Sequence, residues 1–372
     1  MRLSFIDNLR WTMILLVISM HAADTYSALG NWYFVDRVPL SMTELLFFAA
    51  WQMYLQSFFM GLLFFVAGYF VPASFDRKGP SAFVRDRVFR LGLPVIFYMF
   101  ILGPITEYYA AHSWTSTLPT SFGNEWLKHI RDGEFLQENG PLWFCLALLI
   151  FSTVYALFGS GAKQLPVDGE PPRTLQLIGF VFIMAALTFM VRLAGSLTVL
   201  NMHLGDFPQY ILLFSAGILA ARRQWLPKLQ FSSGTRWMAL TLSIGFPAWL
   251  ALIIIGGALK DGTLAYSGGW HWQSASVNLW EAFTCVGICF GLLVLFREYF
   301  NTQGRIAKCL SDNAFSVYVF HPPLLIVGAR LLHGVLWQPI LKFLLLTTIG
   351  VVLSFSLSAL VFRRIPFLRS IL

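Results

Sequence analysis

Long apolar runs recur along the whole chain, and they constrain its fold more than any other feature. We count ten of them, at about 10–29, 45–70, 90–110, 141–160, 174–197, 207–222, 236–258, 276–297, 309–331 and 338–362. A helix needs about 20 apolar residues to cross a bilayer, and most of these runs have that length. The pattern predicts an all-α polytopic membrane protein with about ten transmembrane helices, in a single integral membrane domain that spans residues 1–372.

The composition excludes the main alternatives to a membrane protein. Of the 372 residues, 57% are hydrophobic and 12% are charged, whereas an ordinary soluble domain has about 25% charged residues. A soluble or disordered chain does not carry so much apolar surface. The net charge of +8 would suit a nucleic-acid partner, but the basic residues are distributed as membrane-topology signals. We therefore expect the lipid bilayer, and no nucleic acid, as a partner.

The distribution of Lys and Arg predicts the orientation in the membrane. An even number of crossings places both termini on one side. If that side is the cytoplasm, 19 of the 26 Lys and Arg residues fall on inner segments. This excess agrees with the rule that cytoplasmic loops are enriched in positive charge. We predict cytoplasmic termini and a multi-pass protein of the cell membrane.

The first apolar run carries a stripe of polar residues. Arg10 and His21 are eleven residues apart, so on a helix they share one face about 16 Å apart along the axis. Asp24 follows His21 by one turn. A His and an Asp within a span are costly unless they face a cavity or a partner. His21 therefore suits a general base that Asp24 orients, and the alternative is a helix anchor with a hydrogen-bonded structural His.

A second basic group lies on the predicted inner side. Arg87 and Arg90 are three residues apart and share a helix face. Arginine binds phosphate groups through two parallel hydrogen bonds, so this pair suits the headgroup of a phosphate-bearing cofactor. Contact with anionic lipid is the alternative.

Further candidates lie at membrane depth or at its outer edge. Glu107 and Glu281 suit the hydroxyls of an acceptor, or are ordinary interfacial carboxylates. Trp143 suits stacking on a sugar, or belongs to the aromatic belt. His321 lies at a depth similar to that of His21, and Tyr318 precedes it by one turn; a structural His beside a proline kink is the alternative. We find no zinc motif, phosphate loop or nucleophile elbow and predict no metal.

Several segments, taken in order, resemble the acyltransferase family 3 membrane proteins. The Arg10–His21 spacing matches the hallmark of the family. The other matching segments are Ser57-Phe58-Phe59, Phe64-Phe65-Val66-Ala67-Gly68-Tyr69, Arg87-Val88-Phe89-Arg90-Leu91, Leu142-Trp143-Phe144 and Ser316-Val317-Tyr318-Val319-Phe320-His321-Pro322-Pro323.

Two positions depart from the family pattern, and the end of the chain points to one branch. The family often has Ser where Ala67 stands and His where Pro141 stands. The closing Arg364-Ile365-Pro366-Phe367-Leu368 resembles the glucan biosynthesis protein C branch, which succinylates periplasmic glucans.

The resemblance implies a membrane-bound O-acyltransferase of the bacterial inner membrane. Acyl-CoA, as acetyl-CoA or succinyl-CoA, would be the co-substrate, docked by Arg10, Arg87 and Arg90, and the acceptor would be an extracytoplasmic carbohydrate. His21 would act as general base or acyl relay. Three alternative hypotheses remain. The protein could be a transporter or flippase of a lipid-linked sugar, it could acylate a small lipid or antibiotic, or it could keep the fold without catalysis. The sequence assigns no oligomeric state.

Overall fold

The fold is taken from a computed structural model that describes residues 3–111, 121–159, 167–195, 197–366 and 368. Three of the basic residues counted above lie outside this part of the chain, namely Arg2, Lys163 and Arg369. Phe367 of the closing motif also lies outside it.

Helices make up most of the described chain. The α-helices are α1 (Ser4–Ser27), α2 (Met42–Lys78), α3 (Pro80–Arg87), α4 (Leu93–Phe97), α5 (Gly103–Ala111), α6 (Phe122–Arg131), α7 (Trp143–Phe158), α8 (Thr174–Arg192), α9 (Phe207–Arg222), α10 (Trp225–Lys228), α11 (Phe231–Ile255), α12 (Ala258–Asp261), α13 (Trp272–Tyr299), α14 (Arg305–Leu332) and α15 (Pro339–Leu360). Two short strands, β1 (Thr198–Val199) and β2 (Met202–His203), pair antiparallel.

The remaining helical segments of the described chain are short 3-10 and π-helical turns. Two π-helical turns, Val88–Gly92 and Tyr98–Leu102, join α3, α4 and α5 into one helical stretch. The 3-10 segments are Glu134–Leu136, Gly140–Leu142, Leu204–Asp206, Leu264–Tyr266 and Phe362–Arg364.

Nine helical stretches of the described chain are long and apolar enough to cross a membrane. They correspond to the second to tenth predicted runs, and they confirm an all-α polytopic membrane protein. Helix α1 has 24 residues but is not among the nine, because its polar side chains lower its mean hydropathy. The crossing by α1, and with it the placement of both termini, stays a prediction.

The chain divides into two compact units. The first unit comprises Met1–Leu9, Gln56–Arg85 and Ile150–Thr302, and the second comprises Arg10–Leu55, Asp86–Leu149 and Gln303–Leu372. The prediction of a single domain stays a prediction.

Close packing of α2 against α9 organises part of the first unit. Gly68 of α2 lies against the backbone of Phe214, and Gly217 of α9 lies against the backbone of Phe65, with no room for a side chain at either glycine. Small residues allow helix backbones to approach closely in a membrane, where van der Waals packing, and not the hydrophobic effect, drives helix association. The two glycines therefore fix this helix pair.

The second unit is built around α1, α14 and α15. Leu325 of α14 and Leu346 of α15 are fully buried, and Gly350 of α15 faces Ile18 of α1. Helix α14 continues through Pro322 and Pro323, and the kink that these prolines predict stays a prediction. Of the ten predicted site residues, this unit holds all except Glu281.

Candidate active site

His21 and Asp24 form a hydrogen-bonded pair in α1. The Nδ1 atom of His21 lies 3.1 Å from Oδ2 of Asp24. A carboxylate accepts, so Nδ1 carries the proton and donates it. This tautomer leaves Nε2 of His21 with a free lone pair, as a general base or a nucleophile requires.

The carboxylate of Asp24 is held from three sides. Its Oδ1 atom accepts a hydrogen bond of 2.5 Å from Nε2 of Gln52 in α2, while Oδ2 faces His21. Gly30 lies directly against the same carboxylate and leaves no room for a side chain. Asp24 is buried, so these contacts replace its hydration and fix its orientation.

We expect Gly30→Ala to lower the acyl-transfer rate at least tenfold. The added methyl group overlaps the Asp24 carboxylate, which has to break its bond to Gln52 or to His21 in order to move. The measurement is CoA release by the purified variant. Gly123→Ala in α6 is the matched control, since a methyl group there meets open space. Equal loss in both variants would contradict the prediction.

Two aromatic rings lie parallel to the imidazole of His21. The ring of Trp32 stacks on it, with centroids 3.9 Å apart and an angle of 12° between planes. The ring of His321 in α14 lies 5.4 Å away at 14°. The structure thus brings both predicted histidines together, and Trp32 covers one face of the pair.

His321 offers a second nitrogen with a free lone pair. Its Nδ1 atom lies 2.8 Å from the backbone oxygen of Tyr318, which can only accept, so Nδ1 donates. Its Nε2 atom is buried and has no hydrogen-bond partner among the described residues. A buried acceptor of this kind costs stability unless a ligand uses it.

Tyr318 and Trp143 flank this region. The hydroxyl of Tyr318 donates to the backbone oxygen of Pro141, which fastens α14 to the entry of α7. Trp143 begins α7, is half-buried and packs edge-on against Phe144. A substrate contact by Tyr318 or Trp143 stays a prediction.

The three arginines that are predicted to bind the phosphates of the co-substrate have different surroundings. Arg10 is an exposed residue of α1, and Arg87 is half-buried at the end of α3. Arg90 lies in the first π-helical turn, where its Nε atom is 3.2 Å from Oδ1 of Asp86 and 63% of its side chain is exposed. The contact with Asp86 leaves most of the Arg90 guanidinium open to a phosphate.

Glu107 belongs to a cluster of acidic groups around His129. Its Oε2 atom lies 3.8 Å from Nδ1 of His129, and Oε2 of Glu134 lies 3.9 Å from the same nitrogen. Burial, helped by a hydrogen bond with Glu107, raises the pKa of Glu138 to about 9. The raised pKa favours the protonated form of Glu138, whose carboxyl can then donate a hydrogen bond to Glu107.

Glu281 lies in the first unit, within an ion-pair network. Its Oε2 atom is 2.8 Å from Nη1 of Arg192, and Nη2 of that arginine is 2.7 Å from Oδ1 of Asp206. Arg192 also donates to Asn278. The carboxylate of Glu281 is thus engaged by Arg192, and a role in substrate binding stays a prediction.

Three residues of the site have no role in the sequence-based interpretation. Trp32 follows α1 in a segment without periodicity, Gln52 lies inside an apolar run, and His129 lies between the third and fourth predicted runs. A polar Gln in a transmembrane run is a usable signal, because such a group needs a partner. For Trp32 and His129 the sequence offers no comparable signal.

The fold and the His–Asp pair define an integral membrane protein with a buried polar site. The chain matches the family model of acyltransferase family 3, described as an acyltransferase domain, over residues 3–361. The match covers nearly the whole chain, so the protein belongs to this family of acyltransferases. No curated protein and no solved structure matches it. The glucan biosynthesis protein C branch stays a prediction.

Proposed function

We propose that the protein transfers an acyl group, acetyl or succinyl, from cytoplasmic acyl-CoA to a hydroxyl of an extracytoplasmic carbohydrate. The observation that carries this proposal is the His21–Asp24 pair, in which Gln52 holds Asp24 and the donation by Nδ1 leaves the lone pair of His21 on Nε2. Membership in an acyltransferase family supplies the reaction class. The product is an O-ester together with CoA.

In the direct mechanism, His21 acts as general base. Its Nε2 atom takes the proton of the acceptor hydroxyl while the hydroxyl oxygen bonds to the thioester carbonyl carbon. The carbon–sulfur bond then breaks, and the imidazolium returns the proton to the thiolate of CoA. Asp24 stabilises the imidazolium through Nδ1, and the indole face of Trp32 adds a cation–π interaction.

A covalent relay fits the same residues. Here Nε2 of His21 attacks the thioester carbonyl carbon, the carbon–sulfur bond breaks, CoA leaves as thiolate, and an acyl-imidazolium remains with Nδ1 still donating to Asp24. The acceptor oxygen then bonds to the acyl carbon and the bond from that carbon to Nε2 breaks, which returns neutral His21. Because His21 cannot serve as base in this step, Nε2 of His321 takes the acceptor proton and passes it to the thiolate. The 5.4 Å between the two rings supports this division of roles.

The donor and the acceptor approach from opposite sides in this proposal. CoA is made in the cytoplasm, and its phosphates suit Arg10, Arg87 and Arg90 on the predicted inner side. The acceptor then arrives from the outer side, where Glu107 and Trp143 lie by the predicted orientation. We place this arrangement in the inner membrane of a bacterium, where cytoplasmic CoA and an extracytoplasmic glycan are on opposite sides.

The test is CoA release by the purified protein in nanodiscs. We expect one of acetyl-CoA and succinyl-CoA to give at least tenfold faster release than the other when a periplasmic glucan fraction is present. Mass spectrometry should find the matching ester on the glucan. The preferred donor and the mass of the ester on the glucan together identify the acyl group.

Two results would contradict the proposal. Folded protein that releases no CoA from either donor would favour the transport of a lipid-linked sugar. Release that depends on an added lipid or antibiotic, and not on glucan, would keep the enzyme class and change the acceptor.

A further inference from the structure

The segment that connects α1 to α2 folds back over the end of α1. Its residues 28–41 form no helix or strand, and the backbone nitrogen of Asp36 donates to the backbone oxygen of Thr25 at 2.8 Å. This course of the chain brings Trp32 onto His21, with 3.9 Å between the ring centroids and 12° between the planes. The side chain of His21 is still 21% exposed, so the imidazole stays accessible although one of its faces is covered.

The hydrogen bond to Asp24 does not by itself fix the plane of the imidazole. A histidine side chain turns about two torsion angles, and the bond from Nδ1 to Oδ2 of Asp24 restrains chiefly the position of Nδ1. The ring can still tilt about this bond. Because the lone pair of Nε2 lies in the ring plane, a tilt points it away from a substrate. Catalytic groups have to lie within about 10–20° of the productive direction.

The indole of Trp32 supplies the second restraint. Two flat rings in parallel contact resist tilting, because rotation of one ring drives its edge into the face of the other. The ring of His321 is nearly parallel to both, at 14° to His21 and 9° to Trp32. His321 is held independently, since its Nδ1 atom donates to the backbone oxygen of Tyr318. Trp32 therefore aligns the plane of His21 with that of His321.

Tyr33 fastens Trp32 to the helical stretch that contains α4 and α5. Its ring packs edge-on against the indole with centroids 5.2 Å apart, and its hydroxyl lies 3.1 Å from the hydroxyl of Tyr98. Gly140 lies against both tyrosines, and a side chain there would overlap the Tyr33 hydroxyl and the Tyr98 ring. These contacts form a continuous series from Tyr98 through Tyr33 and Trp32 to His21.

We propose that Trp32 is a positioning residue of the acyl transfer, which holds the imidazole of His21 in the plane that presents Nε2 to the substrates. Trp32 acts through His21 and needs no contact with the donor or the acceptor. Tyr33 supports this role by fixing the indole. The inference rests on the proposed function and adds to it the residue that orients the reacting nitrogen.

Two substitutions of Trp32 distinguish the effect of a flat ring from that of filled volume. Trp32→Leu removes the parallel face and should lower kcat about 10- to 100-fold, because a small misplacement of a reacting group has an effect of this order. The KM for acyl-CoA should change less than about twofold, since donor binding is untouched. Trp32→Phe, in which the new side chain is only slightly larger than leucine but flat, should restore kcat to within about threefold of the wild type.

The matched control is Trp337→Leu. Trp337 is 54% exposed in the connection between α14 and α15, and in the described part of the chain it is not one of the rings that face His21. Loss of the indole there should leave kcat unchanged. Tyr33→Phe keeps the ring against Trp32 and removes only the hydroxyl that faces Tyr98, so it should lower kcat less than Trp32→Leu does.

A spectroscopic measurement tests the stack without any reaction. The ring current of an indole shifts the protons of a ring stacked on it upfield. In protein that is labelled with carbon-13 at Cε1 of histidine and held in nanodiscs, the signal that is lost in His21→Ala belongs to His21. This signal should be shifted upfield in the wild type, move downfield in Trp32→Leu and stay in place in Trp337→Leu.

The outcomes separate this inference from the proposed function. If the wild type gives no His21-dependent CoA release, the proposed function fails and the positioning role fails with it. If release depends on His21 but Trp32→Leu keeps full kcat, the inference alone is wrong. It is also wrong if Trp32→Phe and Trp32→Leu lose kcat and melting temperature equally, as a residue that only fills space would, or if the wild-type His21 signal is not shifted upfield.

Discussion

Replacing His21 by Ala should lower acyl transfer by a factor of about 100 to 10,000, the range that a positioned general base contributes. The reason is the geometry at Nε2, the ring nitrogen of His21 whose lone pair is available as a base once Nδ1 donates to Asp24. Alanine leaves no group there to take the acceptor proton or to carry the acyl group. Initial rates of CoA release at saturating donor and acceptor measure the effect.

The control variant keeps the imidazole of His21 and changes its hydrogen-bond partner, Asp24. Asp24→Asn retains a side chain of similar shape beside Gln52 but removes the negative charge that stabilises an imidazolium. It should lower the rate less than His21→Ala does. Normal expression and an unchanged melting temperature are required of both variants. Full activity of His21→Ala under these conditions would refute the assignment.

His321→Ala distinguishes the two mechanisms. In the direct mechanism His21 alone handles the proton, so the rate should fall modestly. In the relay, His321 is the base of the second step, so acyl-enzyme should accumulate and be detectable by mass spectrometry after acid quenching. The 5.4 Å stacking of the two rings makes either route geometrically possible.

The sequence predicts the helical fold well because the membrane imposes one dominant rule. Backbone groups in lipid have to be paired within the segment, so a long apolar run becomes a helix. The runs at 276–297 and 309–331 correspond to α13 and α14. Helix α1 is the instructive exception, since the polar residues that suggest a site are the same ones that reduce its mean hydropathy.

The geometry within one helix can be predicted from the sequence as well as the helical fold can. The one-turn spacing of His21 and Asp24 places their side chains together, and the structure gives a distance of 3.1 Å. Contacts between distant segments are not accessible in this way. The bond from Gln52 to Asp24, the stack of Trp32 on His21 and the pairing of Asp36 with Lys342 all depend on how helices and connections pack.

Membrane depth alone is a poor guide to the function of a carboxylate. Glu107 and Glu281 are both carboxylates within predicted spans, and the sequence assigns them the same role. The structure surrounds Glu107 with His129 and with Glu138, whose pKa is raised by burial, whereas Glu281 faces the guanidinium of Arg192. An arginine about 90 residues away in sequence cannot be identified as a partner without the packing.

The largest effect on stability should come from Lys342→Met. Lys342 is 1% exposed, and its ammonium group is 2.7 Å from the buried carboxylate of Asp36, 306 residues away in sequence. Methionine keeps most of the volume but leaves the Asp36 charge without this partner. Breaking one side of a buried ion pair costs about 3–5 kcal/mol. The measurement is the free energy of unfolding in mixed detergent micelles.

The double variant Asp36→Asn with Lys342→Met shows whether that loss comes from the uncompensated charge. With both charges removed, most of the lost stability should return, because a buried ion pair contributes little beyond its own desolvation penalty. Lys128→Met is the matched control, since Lys128 pairs with Glu134 at 3.6 Å on the exposed surface. An exposed pair contributes about 0–1 kcal/mol. If Lys342→Met were no more destabilising than Lys128→Met, the buried pair of Asp36 and Lys342 would not be the stabilising contact between these distant segments that its burial predicts.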